Sequence, residues 1–189
     1  MTASGARPFV FLDRDGTLLE EREYAHRPAD YAPLPGAHQA VAQLRAAGFG
    51  VVVVTNQSGI GRGRYSAADY ARFEAILRDD FAAHAAPLDG CYHCPHTPEA
   101  GCACRKPGTA LALRAAREHG IDLARSWVIG DKDIDVALAR ALGCRAVLVR
   151  TGHGAANVER VPGGTPIARD VLDAVARFVL APQPAQSPK

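Results

Sequence analysis

Short apolar runs alternate with Ala-, Leu- and Arg-rich amphipathic stretches along most of the chain, and the run over residues 51–54 is valine throughout. A strand that is apolar on both sides must be covered on both faces, and a parallel sheet between two helical layers provides that cover. The pattern predicts strands over residues 8–13, 50–55, 89–93, 127–130 and 146–149, and helices over 36–47, 66–83, 108–119, 134–142 and 168–180. Ser66 reads as an N-cap, and Gly48, Gly120 and Gly143 stand where helices end in a left-handed residue. The expected class is α/β, a Rossmann-like open parallel sheet with helices on both faces. A length of 189 residues suits one domain, expected over 7–180. The Pro-, Gln- and Ser-rich residues 181–189 read as a flexible tail.

Charge and hydropathy exclude several partners. Twenty-two basic against 20 acidic residues give a net charge of +2, too little for a nucleic-acid surface. The amino terminus does not read as a signal peptide, and no apolar stretch approaches the ~20 residues of a membrane span. A cytoplasmic protein with no nucleic-acid or membrane partner is expected, working as a monomer on a small molecule.

In an open parallel sheet, ligands bind beyond the carboxyl ends of the strands. Three predicted strands end in polar clusters: Asp13-Arg14-Asp15-Gly16-Thr17, Thr55-Asn56-Gln57-Ser58, and Gly130-Asp131-Lys132 with Asp135 beyond. Lys106 precedes the helix between the third and fourth strands. Convergent carboxylates with no side-chain cation among them repel one another and call for a hard divalent ion, Mg²⁺ being the natural choice. With a hydroxyl, amides and a lysine nearby, the set suits phosphoryl transfer.

The order DxDGT, a strand ending in Thr-Asn, a lysine before a helix, and GDxxxD resembles the four motifs of the haloacid dehalogenase-like phosphatases, over about residues 9–154. The resemblance implies that Asp13 is the nucleophile forming an aspartyl-phosphate, and that Asp15 is the general acid and base. It implies that Thr55 and Lys106 hold the phosphoryl oxygens, and that Asp13, the backbone carbonyl of Asp15, and Asp131 hold Mg²⁺. Asp135 is expected to orient Lys132 or a metal-bound water, and Asp133 to cap the following helix.

Four of the five cysteines lie within fourteen positions. Cys94, His96, Cys102 and Cys104 have the spacing of a closed tetrahedral site, three thiolates and an imidazole, which suits structural Zn²⁺. Unliganded thiols, or a shifted set that includes Cys91 or His93, are the alternatives. Cys91 and His93 read as strand residues facing the packing layers, and Cys144 as a small buried hydrophobe. The zinc would order a loop with little apolar surface and so place Arg105 and Lys106.

CPH followed by CxCRKP resembles the zinc-containing branch of these phosphatases, which acts on heptose 1,7-bisphosphate or on histidinol phosphate. TNQSGIGRG and IDLARSWVIGDKDID resemble the heptose enzymes. The resemblance implies hydrolysis of the C7 phosphate of D-glycero-D-manno-heptose 1,7-bisphosphate. Histidinol phosphate is the alternative substrate, and a catalytically silent zinc-binding interaction module is the alternative from another class. The short segments between the motifs leave no room for a cap domain, so substrate selection falls to local loops. Glu21, Arg22, Glu23 and Tyr24 are expected to contribute from the first, and Asn56, Gln57 and Ser58 from the second. Arg105 and Lys132 are expected to meet the sugar or its second phosphate; Arg62 and Arg64 are further candidates for that phosphate, with solvated loop arginines as the alternative reading.

Overall fold

Alternate residues of the central strands leave the sheet in opposite directions, and both sets are apolar. Val10, Leu12, Val51, Val53 and Ile129 enter one core, while Phe9, Phe11, Val52, Val54 and Val128 enter the other. The computed structural model describes residues 6–181. Its sheet has six strands, all parallel, in the order β3-β2-β1-β4-β5-β6: β1 Phe9–Leu12, β2 Gly50–Asn56, β3 Gly90–Cys94, β4 Trp127–Gly130, β5 Arg145–Val149 and β6 Ile167–Ala168. Phe11 stands opposite Val52 on one side and Val128 on the other.

Helices cover both faces. The helices α1 (Ala37–Ala46), α2 (Ser58–Gly61), α3 (Ala67–Ala83), α4 (Ala110–His119), α5 (Asp133–Leu142), α6 (Gly154–Asn157) and α7 (Val171–Ala174) follow in chain order. Val41, Leu44, Phe73 and Leu77 from α1 and α3, with Val171 from α7, close the first core. Ala112 and Ala115 of α4 and Leu138 and Leu142 of α5 close the second. Ser66 caps α3 by accepting the Asp69 N–H at 3.1 Å, and Gly120 and Gly143 end α4 and α5 in the left-handed region.

Two sequence expectations change. The helix predicted over 168–180 begins at Val171, because Ile167 and Ala168 pair with Leu148 and Val149 as an edge strand. Asp170 then caps the helix by accepting the Asp173 N–H at 2.8 Å, and the last turn, Val175–Val179, is wound as a π-helix. Asp133 is the first residue of α5 and not its cap. Lys132 is the N-cap residue, and Asp135 accepts its backbone N–H at 3.1 Å.

Between β1 and α1 the described chain forms a 3-10 turn, Pro28–Asp30, and isolated bridges such as Leu19 with Pro33, and no inserted domain. Among the described residues no helix is long and apolar enough to cross a membrane. Of the expected tail, residues 182–189 lie outside the described residues. Chain order reverses at β1, which has β2 on one side and β4 on the other, so a crevice opens at their carboxyl ends.

Candidate active site

The crevice is a cleft of about 220 Å³ at the carboxyl ends of β1 and β2. Asp13 continues β1, its N–H bonded to the Ile129 carbonyl at 3.0 Å. The chain then turns sharply. The N–H groups of Leu18 and Leu19 both bond the Arg14 carbonyl at 2.9 Å, and Gly16 takes φ 79°, a value that favours glycine. A Cβ at Gly16 or at Gly152 would overlap Asp131 Oδ2, so two glycines let the loops after β1 and β5 close around that carboxylate. The same Oδ2 accepts the His153 N–H at 2.8 Å, and Thr151 Oγ1 donates to the Gly16 carbonyl at 2.6 Å.

The carboxylates are not without a cation, contrary to expectation. Lys106 is 3% exposed, and its Nζ lies 2.9 Å from Asp13 Oδ1 and 2.7 Å from Asp135 Oδ1. Asn56 sets its place with two bonds to the Lys106 backbone, donating to the carbonyl at 3.2 Å and accepting from the N–H at 2.9 Å. Burial works against the charge on Lys106, but Asp13 and Asp135 outweigh it and hold the ammonium protonated above its ordinary range. Asp135 therefore orients Lys106 with one oxygen and the Lys132 backbone with the other.

Two carboxylates of the DxD motif are driven apart in acidity. Burial opposes ionisation of Asp13, but Lys106, Lys132 and the Arg14 N–H together outweigh it, and Asp13 titrates below the usual carboxylate range. Burial pushes Asp15 up, against the pull of Arg14. Arg14, 1% exposed, holds Asp15 through Nε and Nη2 at 2.9–3.1 Å. Gln57 Nε2 donates to Asp15 Oδ2 at 2.9 Å and to Thr55 Oγ1 at 2.9 Å.

The site can accept a divalent cation. One carboxylate oxygen from each of Asp13, Asp131 and Asp135 falls within 4.8 Å of the others, and buried Asp131 Oδ1 has no hydrogen-bond partner. Burial, then the charge of Asp13, pushes Asp131 up to about 7, and a hard cation is the group that would relieve both. Asp15 contributes no side-chain oxygen to this set, as its carboxylate is engaged by Arg14 and Gln57.

The predicted substrate residues do converge. Glu21, Arg22, Glu23, Tyr24, Asn56, Gln57, Ser58, Arg105 and Lys132 all line the cleft, as does Thr55. Lys132 Nζ donates to Glu21 Oε2 at 3.0 Å, Arg22 pairs with Glu20 at 2.9 Å, and Arg105 Nη1 donates to the His96 carbonyl at 3.4 Å. Arg62 does not line the cleft and faces Glu99 at 3.8 Å, and Arg64 lies over the Tyr24 ring at 5.8 Å. Sequence reasoning missed Arg14, Tyr65 and His153. Arg14 sits inside the DxD motif, between the two carboxylates, which was the available signal, and the other two reach the site only through the fold.

Cys94, His96, Cys102 and Cys104 form the second candidate metal centre. Cys104 Sγ lies 3.3 Å from both other sulfurs and 3.2 Å from His96 Nδ1, and Cys94 Sγ lies 3.5 Å from Cys102 Sγ. A tetrahedron with Zn–S bonds of ~2.3 Å has edges of about 3.8 Å, so the four donors are arranged for such an ion. Cys91 and His93 stand outside this group; burial raises the Cys91 thiol to about 12, and the His93 ring packs on Tyr70 at 4.0 Å. Burial likewise raises Cys144 to about 12. The loop is tied to the cleft by the Gln57 N–H to the Cys94 carbonyl at 2.7 Å and the Gly61 N–H to the Pro95 carbonyl at 2.9 Å.

Acidic side chains around a buried lysine at the switch point of a parallel sheet make a phosphoryl-transfer site of the haloacid dehalogenase-like class. A HAD-hydrolase-like family model matches residues 103–174. A D-glycero-beta-D-manno-heptose-1,7-bisphosphate 7-phosphatase of Pseudomonas aeruginosa is 38% identical over 177 residues, 93% of this chain and 99% of the relative. That of Escherichia coli K12 is 39% identical over 154 residues, 77% and 80% of the two chains. The crystal structure of a D,D-heptose 1,7-bisphosphate phosphatase from B. bronchiseptica with magnesium and phosphate superposes with a TM-score of 0.85 at 32% identity, covering 91% of this chain and 98% of that one. The chain belongs to the haloacid dehalogenase-like phosphatases, in the family of the heptose-1,7-bisphosphate 7-phosphatases. It is a phosphoric monoester hydrolase, so the silent interaction module is set aside.

Proposed function

We propose that residues 7–180 act as one phosphatase domain that removes the C7 phosphate of D-glycero-D-manno-heptose 1,7-bisphosphate through an aspartyl-phosphate on Asp13. The observation that carries this reading is Asp13 at the end of β1, held ionised beside buried Lys106, with Asp15 pushed up across the same cleft. Two neighbouring carboxyls driven apart in acidity suit a nucleophile and a proton donor. The Asp13 carboxylate attacks phosphorus, and as the bond to the sugar oxygen breaks, Asp15 gives that oxygen its proton. Asp15, now ionised, takes a proton from the water that attacks the aspartyl-phosphate, which releases inorganic phosphate and restores Asp13.

Lys106 and the Thr55 hydroxyl face the cleft as donors for the phosphoryl oxygens. Mg²⁺ held by Asp13, the Asp15 carbonyl and Asp131 would supply positive charge to the reacting phosphoryl group. Zn²⁺ on Cys94, His96, Cys102 and Cys104 would hold the loop that carries Arg105 and Lys106. Glu21, Arg22, Glu23, Tyr24, Asn56, Gln57 and Ser58 border the cleft that receives the sugar, with Arg105 and Lys132 as the cations for its retained phosphate. The relatives' names favour the heptose bisphosphate over histidinol phosphate.

Turnover of heptose bisphosphate, histidinol phosphate and a nitrophenyl phosphate, compared side by side with Mg²⁺, tests the reading. The heptose bisphosphate should have the highest kcat/KM. A preference for histidinol phosphate would overturn the substrate.

A further inference from the structure

The Gln57 side chain lies at the centre of four hydrogen bonds. It is 4% exposed. Its Oε1 accepts from Tyr65 OH at 2.6 Å and from Arg14 Nη2 at 3.2 Å. Arg14 can only donate there, because a guanidinium has no acceptor, and the Tyr65 hydroxyl then donates to the same oxygen. Oxygen must therefore face Tyr65 and Arg14, and the amide orientation is determined by its partners. The Nε2 group is left to donate its two hydrogens, one to Asp15 Oδ2 at 2.9 Å and one to Thr55 Oγ1 at 2.9 Å.

That second bond constrains the threonine. A hydroxyl has one proton, and with Thr55 Oγ1 accepting from Gln57, the proton is free to be donated into the cleft, where a phosphoryl oxygen is the acceptor that the reaction supplies. The first bond holds Asp15 by one oxygen, while Arg14 contacts both.

We propose that Gln57 is a positioning residue: its amide, oriented by Tyr65 and Arg14, aims Asp15 at the leaving oxygen and turns the Thr55 proton toward the transferring phosphoryl group. This deepens the phosphatase reading above and rests on it. Gln57 then acts through Asp15 and Thr55 without touching the sugar, although it borders the cleft.

The two steps separate the role from a structural one. Nitrophenolate leaves without a proton, so its release needs Asp15 little, whereas a sugar alkoxide needs that proton, and the water step needs Asp15 with either substrate. Gln57→Met keeps the volume and removes the bonds. With a sugar phosphate, its kcat should fall at least about tenfold with KM within about twofold, since general acid-base catalysis supplies ~10²–10⁴-fold when well placed. With nitrophenyl phosphate in rapid mixing, it should show a burst of about one nitrophenolate per enzyme, followed by a slow steady rate. Tyr65→Phe removes only one donor to Oε1 and should show the same pattern with a smaller loss, which covers the case that Gln57→Met does not fold.

A raised KM with unchanged kcat would make Gln57 a substrate contact and overturn the proposal. Equal losses on both substrates without a burst would overturn it too. If the wild-type enzyme turned over neither phosphate, the phosphatase reading would fall first and this one with it. If the wild-type enzyme is active and both variants match it, only the positioning role falls.

Discussion

Replacing Lys106 by Met tests whether this lysine is the cation that makes the buried acidic cluster tolerable. Its side chain is 1% exposed and bridges Asp13 at 2.9 Å and Asp135 at 2.7 Å. Methionine fits the volume but leaves two buried carboxylates facing each other. Removing one partner of a buried ion pair costs about 3–5 kcal/mol. For a domain of this size each kcal/mol corresponds to roughly 2–4 °C, so Tm should fall by about 6–20 °C in neutral buffer without added Mg²⁺.

The pH dependence carries the sharper test. In the wild type, Asp13 titrates below its unfolded value, so its stabilisation is present above that value and is lost as pH falls through the folded one. Asp135 already lies above its usual range through burial, and without Lys106 both carboxyls should rise. A group whose folded pKa is raised penalises the fold at pH above that value, and the penalty fades as pH falls through it. The Tm difference between variant and wild type should therefore be largest near pH 8 and shrink by pH 5, as calorimetry in both buffers would read. A loss under about 1 kcal/mol, or one equal at both pH values, would refute Lys106 as the compensating cation.

Asp13→Asn should remove turnover while leaving the circular dichroism spectrum native, because the amide cannot attack phosphorus; more than trace activity would reassign the nucleophile. Wild-type protein should carry about one equivalent of zinc through dialysis, as elemental analysis would show, and replacing Cys102 and Cys104 by Ser should lower it. Unchanged zinc would mean other ligands. Arg105→Ala should lower kcat/KM for the heptose bisphosphate by roughly ten- to a hundredfold, the loss of a charge-assisted bond of about 1.5–3 kcal/mol, and that for nitrophenyl phosphate much less. Equal losses would mean that Arg105 serves the reacting phosphoryl group or the loop.

What could be read along the chain is what neighbours in sequence decide. The run 51–54 required a sheet covered twice, and the acids and amides after each strand fell at its carboxyl end because strand direction is set locally. Cys94, His96, Cys102 and Cys104 could be grouped because short spacing limits how far apart they can lie. The two-residue strand Ile167–Ala168 was invisible, since it is too short to show a period of two and exists only through pairing with β5. Tertiary structure alone decided which charges meet. Lys106 neutralises acids 93 residues before it and 29 after it, and Arg14, Gln57 and Tyr65 form one network across two loops. Such pairings depend on angstrom-scale distances set by packing of the whole sheet, and burial is what makes Arg14 the clamp on Asp15.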